Sequence, residues 1–196
     1  MKKILNYSLL VTLFAFVVTI AKASDEDFNI SVGKSEVVNV EVVHVAKNLS
    51  ISVSDANGIM LYEYSNMQSG PKTLDFSKVP DGYYFIKMEN EKSIQTTLVE
   101  KENNTIHVNK NYGFLVKPVF EKKGKSRLNL YFVNVTKSNV QVDVYDNSHT
   151  LIDSFTSSEP VIEKGLDFSK IPAVSYNLVL SVANSDYTFS KSFDNE

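Results

Sequence analysis

Beyond its first two dozen positions the chain is built of short runs in which apolar and polar residues alternate. Val37 to Val45, Leu49 to Val53, Ile59 to Tyr64, Tyr83 to Met88 and Ile94 to Val99 are rich in β-branched and aromatic residues, and turn-forming clusters part them. That is the signature of half-buried strands. In Tyr84, Ile86 and Met88, and again in Tyr176, Leu178 and Leu180, the apolar set recurs at every second residue, so one face of each run meets a core and the other meets solvent. No later stretch carries a sustained 3.6-residue apolar period with helix caps. Asn57-Gly58 lies between two runs and predicts a hairpin with a two-residue type I′ turn. At the corresponding point of a later hairpin stands Ser148-His149, which predicts a looser or differently shaped turn.

The pattern occurs twice. Leu74-Asp75-Phe76-Ser77-Lys78-Val79-Pro80 returns as Leu166-Asp167-Phe168-Ser169-Lys170-Ile171-Pro172, and around it Gly33-Lys34-Ser35 matches Gly124-Lys125-Ser126 and Asn39-Val40 matches Asn129-Leu130. A repeat that keeps apolar positions and punctuation without clustering reactive groups specifies an architecture and leaves activity open. Several short strands in each half predict an all-β chain of two tandem antiparallel sandwich modules. The polar segment from Lys101 to Asn111 is the natural junction, with Ile106-His107-Val108 inside it fit to be the last strand of module one, which places module one at residues 24–107 and module two at 108–196.

Residues 1–23 read differently. Lys2 and Lys3 precede an apolar stretch from Leu9 to Ile20, and Ala21-Lys22-Ala23 supplies the small-x-small pattern of a signal-peptidase site, with cleavage expected between Ala23 and Ser24. The apolar stretch is short of the ~20 residues that span a bilayer, and no second such stretch follows, so the processed chain is expected to hold no integral membrane span. The full chain carries 20 basic and 23 acidic residues, a net charge of −3, and the leader removes three lysines and no acid. An acidic chain with one arginine, Arg127, is unsuited to nucleic acid, whose binding is driven by Lys and Arg. The chain has no cysteine, so its core must hold without disulfides. Lys-rich, Arg-poor composition with a short leader points to a bacterium.

Catalytic signatures are missing: no Gly-x-Ser-x-Gly, no His-Glu-x-x-His and no cysteine nucleophile. Gly33-Lys34-Ser35 and Gly124-Lys125-Ser126 lack the upstream glycine of a phosphate loop, since Phe28 and Val119 stand there. His44, His107 and His149 have no ligand spacing, and the carboxylate groups Asp25-Glu26-Asp27 and Asp143, Asp146 with Asn147 match turn chemistry better than a calcium loop. No cofactor is expected. Lys122, Lys123, Lys125 and Arg127 read as a solvated hairpin loop interrupted by Glu121. Tyr62 and Tyr83, with Tyr64 and Tyr84 nearby, offer a candidate glycan contact through ring stacking. Tyr84 and Tyr176 each follow an apolar-Pro turn by the same interval and are expected as tyrosine corners, buried with the hydroxyl bonded back to the chain.

The order Ile51-x-Val53-x-Asp55-x-x-Gly58-x-x-Leu61, then Leu74-x-Phe76-x-x-Val79-Pro80-x-Gly82-x-Tyr84-Phe85, resembles the Ig-like C-terminal sorting modules of secreted Bacteroidetes proteins (type IX secretion) and, more broadly, fibronectin-type sandwiches. The resemblance implies Ig-like modules and an exported address: secreted, periplasmic or at the cell surface. The expected function is that of a non-enzymatic structural or adhesive binding protein of the cell envelope, with an unidentified protein or polysaccharide as partner. An extracellular polysaccharide-binding module and a small accessory hydrolase are the alternatives.

Overall fold

The computed structural model describes residues 28–44, 46–170 and 175–194, so the leader and the Ala23–Ser24 cleavage point lie outside the described residues. Every regular element among these residues is a β-strand: β1 (Phe28–Val32), β2 (Val37–Val42), β3 (Ser50–Asp55), β4 (Met60–Tyr64), β5 (Gly70–Asp75), β6 (Gly82–Glu89), β7 (Ser93–Glu102), β8 (Thr105–Val116), β9 (Val119–Lys122), β10 (Arg127–Val133), β11 (Val140–Asp146), β12 (Leu151–Ser157), β13 (Val161–Asp167), β14 (Ser175–Val182) and β15 (Thr188–Asp194). All pairings are antiparallel. The sheets run β1-β2-β5 and β4-β3-β6-β7-β8 in the first repeat, and β13-β10-β9 and β12-β11-β14-β15 in the second. Seven strands correspond one to one between repeats in the arrangement of an Ig-like sandwich. The first repeat adds an eighth.

Alternation decides which residues meet between the sheets. In β14 (Ser175–Val182) every second residue from Tyr176 to Val182 is buried, and in β2 the buried set is Val38, Val40 and Val42. The first repeat has one core, in which Val38, Ile51, Val53, Leu74, Phe76 and Ile86 are fully covered. The second has two clusters, one around Leu128, Val144 and Leu178 and one around Leu130, Val142 and Leu180, with Phe120 and Phe155 packed against both. Burying each such side chain stabilises the fold by roughly 1.5–3 kcal/mol. At the open side between the β4 and β5 edges Lys72 lies over the Tyr64 ring at 5.6 Å, and Lys164 covers Phe155 in the same way at 5.3 Å.

The turns differ from the sequence expectation. Asn57-Gly58 does form a hairpin between β3 and β4, but its loop has three residues: Gly58 N donates to Asp55 O, Asp55 N to Ile59 O, and only Gly58 has positive φ, at 82°. Asp55 Oδ1 accepts from the amides of Asn57 and Ile59, and this side-chain clamp selects the longer loop. The second copy is the same turn rather than a looser one: His149 N donates to Asp146 O, His149 takes φ 61°, and Asp146 Oδ1 accepts from Ser148 and Thr150. A two-residue loop of the I′ kind sits instead at Asn103-Asn104, both in the left-handed region at 47° and 62°, where Glu102 pairs with Thr105.

That second hairpin turns the polar junction into structure. The expected boundary at 107–108 falls within β8, which runs back along β7 to Val116. Past it, Lys117 N donates to Lys92 O at 2.7 Å and Lys117 Nζ to Glu89 Oε1 at 2.6 Å. Leu115, two residues earlier, packs against the core of the second repeat. The connecting strand is thus an edge strand of one sandwich and a packing element of the next.

Candidate functional site

The turn Phe76–Tyr84 fixes one end of the first sandwich. Asp75 Oδ1 accepts from Ser77 N, and Tyr84, 4 % exposed, sends its hydroxyl back to Pro80 O at 2.5 Å while its ring meets Phe76 edge-on at 5.3 Å. Burial raises the Tyr84 phenol above its ordinary value. In the second repeat Asp167 Oδ1 accepts from Ser169 N, and Tyr176 is buried against Phe168 at 4.4 Å and Phe193 at 5.3 Å. The apolar-Pro turn ahead of Tyr176, residues 171–174, lies outside the described residues.

Beside Tyr84 a charge is buried. Lys101 Nζ donates to Phe76 O and Val79 O, each at 2.8 Å, and meets Glu36 Oε2 at 2.5 Å, with the two side chains 5 % and 12 % exposed. Among the described residues Lys101 is the sole partner of that carboxylate oxygen. The cluster ties β7, the β1–β2 turn and the β5–β6 turn together through the three contacts of the Lys101 ammonium.

The candidate glycan pair is not brought together. Tyr62 stands opposite Val53 on the inward face, packs on the core and donates its hydroxyl to Asp75 O at 2.6 Å, bridging the two sheets. Burial and then the Asp75 carboxylate raise its pKa. Tyr83 alternates with buried Tyr84 and faces outward on the five-stranded sheet, so the two rings occupy opposite faces. Period two along a strand is the reason: residues 82 to 86 put Tyr84 and Ile86 inside and Tyr83 and Phe85 outside.

What lies beside Tyr83 is a different aromatic group. Phe85 is half-buried, and Tyr112 of β8 reaches it across β7 with ring centroids 5.4 Å apart. Tyr83 and Tyr112 remain 51 % and 53 % exposed, and Leu98 pairs with Phe85 beneath them. Glu100, opposite Tyr83 in the β6–β7 pair, holds its hydroxyl proton and raises its pKa. Phe85 could have been inferred from alternation once Tyr84 was placed inside. Tyr112 could not, because it depends on β8 joining the sheet at a bulge between Thr96 and Leu98.

The corresponding face of the second repeat sets Tyr145 and Val179 among bonded polar side chains. Gln141 Nε2 donates to Asp143 Oδ1 at 2.7 Å and to Ser154 Oγ at 2.5 Å, Ser154 Oγ donates to Asp143 at 2.8 Å, and Ser192 bonds Asn177. Asp143 and Asp146 therefore spend their oxygens on neighbours and on a turn. No group of His, Asp or Glu among the described residues is arranged to hold a metal, and Asp25-Glu26-Asp27 lies outside them. The basic loop is also internally engaged: Lys122 Nζ donates to Asp194 O, Lys123 pairs with Glu121, and Arg127 Nε pairs with Asp167 at 3.0 Å. No helix among the described residues is long and apolar enough to cross a membrane.

Residues 24–102, under half of the chain, match the family model described as "Secretion system C-terminal sorting domain". The first repeat thus resembles that domain, a non-catalytic type whose presence implies an exported protein. No curated protein matches the chain. Among solved structures it is similar to a biofilm-associated protein BSP domain (12% identity, TM-score 0.29, 85% of this chain), of which it spans 28% of the length. It is also similar to a two-domain fibronectin type III segment of chicken tenascin (12% identity, TM-score 0.31, 86% of this chain and 97% of that one) and to the human OSCAR ligand-binding domain (10% identity, TM-score 0.24, 85% and 96%).

Proposed function

We propose that the chain is a non-enzymatic structural or adhesive binding protein of the bacterial cell envelope, exported and displayed at the surface. The observation that carries this reading is the contrast between sheet faces. On the second repeat's sheet outward polar groups bond to one another, while on the first Tyr83 and Tyr112 stand half exposed on a paired sheet beside Phe85 and Leu98. Exposed aromatic surface on a well-packed scaffold is characteristic of a contact face. The match of residues 24–102 to a secretion-system sorting domain supports the exported address. In cells making the full chain with a C-terminal tag, the tagged protein should be lost on treating intact cells with proteinase K. A tag that stays protected inside washed cells until lysis would rule out surface display. A polysaccharide partner is the second reading, favoured by the same rings.

A further inference from the structure

The strip formed by Tyr83, Phe85 and Tyr112 has a size and a charge that narrow its occupant. A fully covered aromatic side chain contributes about 150–250 Å², so two half-exposed tyrosines over half-buried Phe85 and Leu98 offer on the order of 300 Å². A stable protein interface needs about 800 Å² from each partner. The strip suits a narrow, flat ligand. Its neighbours set the sign: Glu100 borders it and is bound to Tyr83, while Lys87, the nearest cation along β6, is paired with Glu89 at 3.2 Å. The chain as a whole is acidic, at −3. Lys110, exposed two residues before Tyr112 on β8, offsets Glu100, so the strip carries no net positive charge to hold an anionic polymer.

We infer that this face of the five-stranded sheet binds a neutral polysaccharide. The rings of Tyr83, Phe85 and Tyr112 cover the apolar faces of successive sugar units, and Glu100, His107 and Asn109, which alternate outward beside them on β7 and β8, take the hydroxyls. The ligand meets a surface whose backbone is fixed by strand pairing on β6 and β7, so little is lost in ordering the protein. This rests on the binding reading proposed above but not on where the protein is displayed, so the protease experiment and the following one can fail separately.

The purified exported protein should be retarded in native gels containing galactomannan, hydroxyethyl cellulose or dextran, by at least one of the three, and not by alginate or polygalacturonate. Tyr83→Ala with Tyr112→Ala should weaken the apparent affinity by about tenfold or more without changing the thermal melt, while Tyr131→Ala on the second repeat leaves it unchanged. Tyr112→Gln alone repeats the test should the double variant be unstable. No retardation by any neutral polymer, equal retardation by alginate, or retardation that survives in the tyrosine variants would each overturn the proposal.

Discussion

The two repeats share one side-chain clamp at ends that are chemically different. Both place an Asp-x-Ser clamp ahead of a buried tyrosine, Asp75 and Ser77 before Tyr84 and Asp167 and Ser169 before Tyr176. In the first, the space beyond the tyrosine holds the Lys101–Glu36 ion pair and two backbone carbonyls. In the second, Phe193 comes from the last strand and forms a ring cluster with Phe168 and Tyr176, and the charge pair Arg127–Asp167 sits outside in solvent. Residues that direct the backbone were kept between copies, while those that fill the end were exchanged. A buried ion pair is costly to desolvate and specifies one arrangement, whereas packed rings tolerate change.

The largest break in that comparison comes from removing one charge. Glu36→Gln leaves Lys101 buried without its counter-ion and should cost about 3–5 kcal/mol, read as a lower urea midpoint. Lys101→Met together with Glu36→Leu should recover most of the loss, and if the double variant is as unstable as the single one, the pair is not what closes this end.

A smaller effect should separate the two three-residue turns. Gly58 and His149 occupy the same left-handed position, which costs a side-chain-bearing residue roughly 1–2 kcal/mol. Gly58→His should therefore destabilise and His149→Gly should stabilise. Changes of the same sign in the two repeats would show that the turns are not equivalent. Tyr84→Phe removes the hydrogen bond to Pro80 O and should cost about 1 kcal/mol. Tyr83→Ala, outward on the neighbouring position, should cost little.

The smallest expected effect is on acid stability. Ser169's hydroxyl and amide, then Arg127, hold Asp167 down at about 2 from 3.8, and Ser77 lowers Asp75 in the same way. A depressed carboxylate stabilises the fold above its unfolded value and loses that contribution as pH falls through the folded one, so the window runs from 3.8 down to about 2. Asp167→Asn should flatten the pH dependence of stability in that window. An unchanged slope would assign acid sensitivity elsewhere, with Glu89 the next candidate. Burial raises Glu89, but its bonds to Lys117 and Lys87 outweigh that and bring it down.

Most of the strand positions were legible, because alternation in runs such as Tyr84, Ile86 and Met88 reports the core face directly. The hairpin at Asn57-Gly58 was legible, but its turn type was not: the Asp55 side chain, two residues ahead of the pair, sets the loop length. His149 hid the equivalence of the second turn because histidine carries little signal for a left-handed position. Within the polar junction Ile106-His107-Val108 signals a strand, but the extent of β8 to Val116 is not legible, and only pairing with β7 gives Tyr112 a face to share with Phe85. The Lys101–Glu36 contact joins positions 65 residues apart, and neither residue stands out from the many charged residues around it. Chemistry made by long-range pairing leaves no local pattern.

The central claim is that each repeat is a sandwich with its own core, joined by β8. Amide hydrogen exchange on the full chain carrying Glu36→Gln tests it directly. Protection should fall across residues 28–102 and stay at the wild-type level across β9 to β15. A uniform loss of protection through both repeats would contradict the account, because it would mean that one cooperative core unites them.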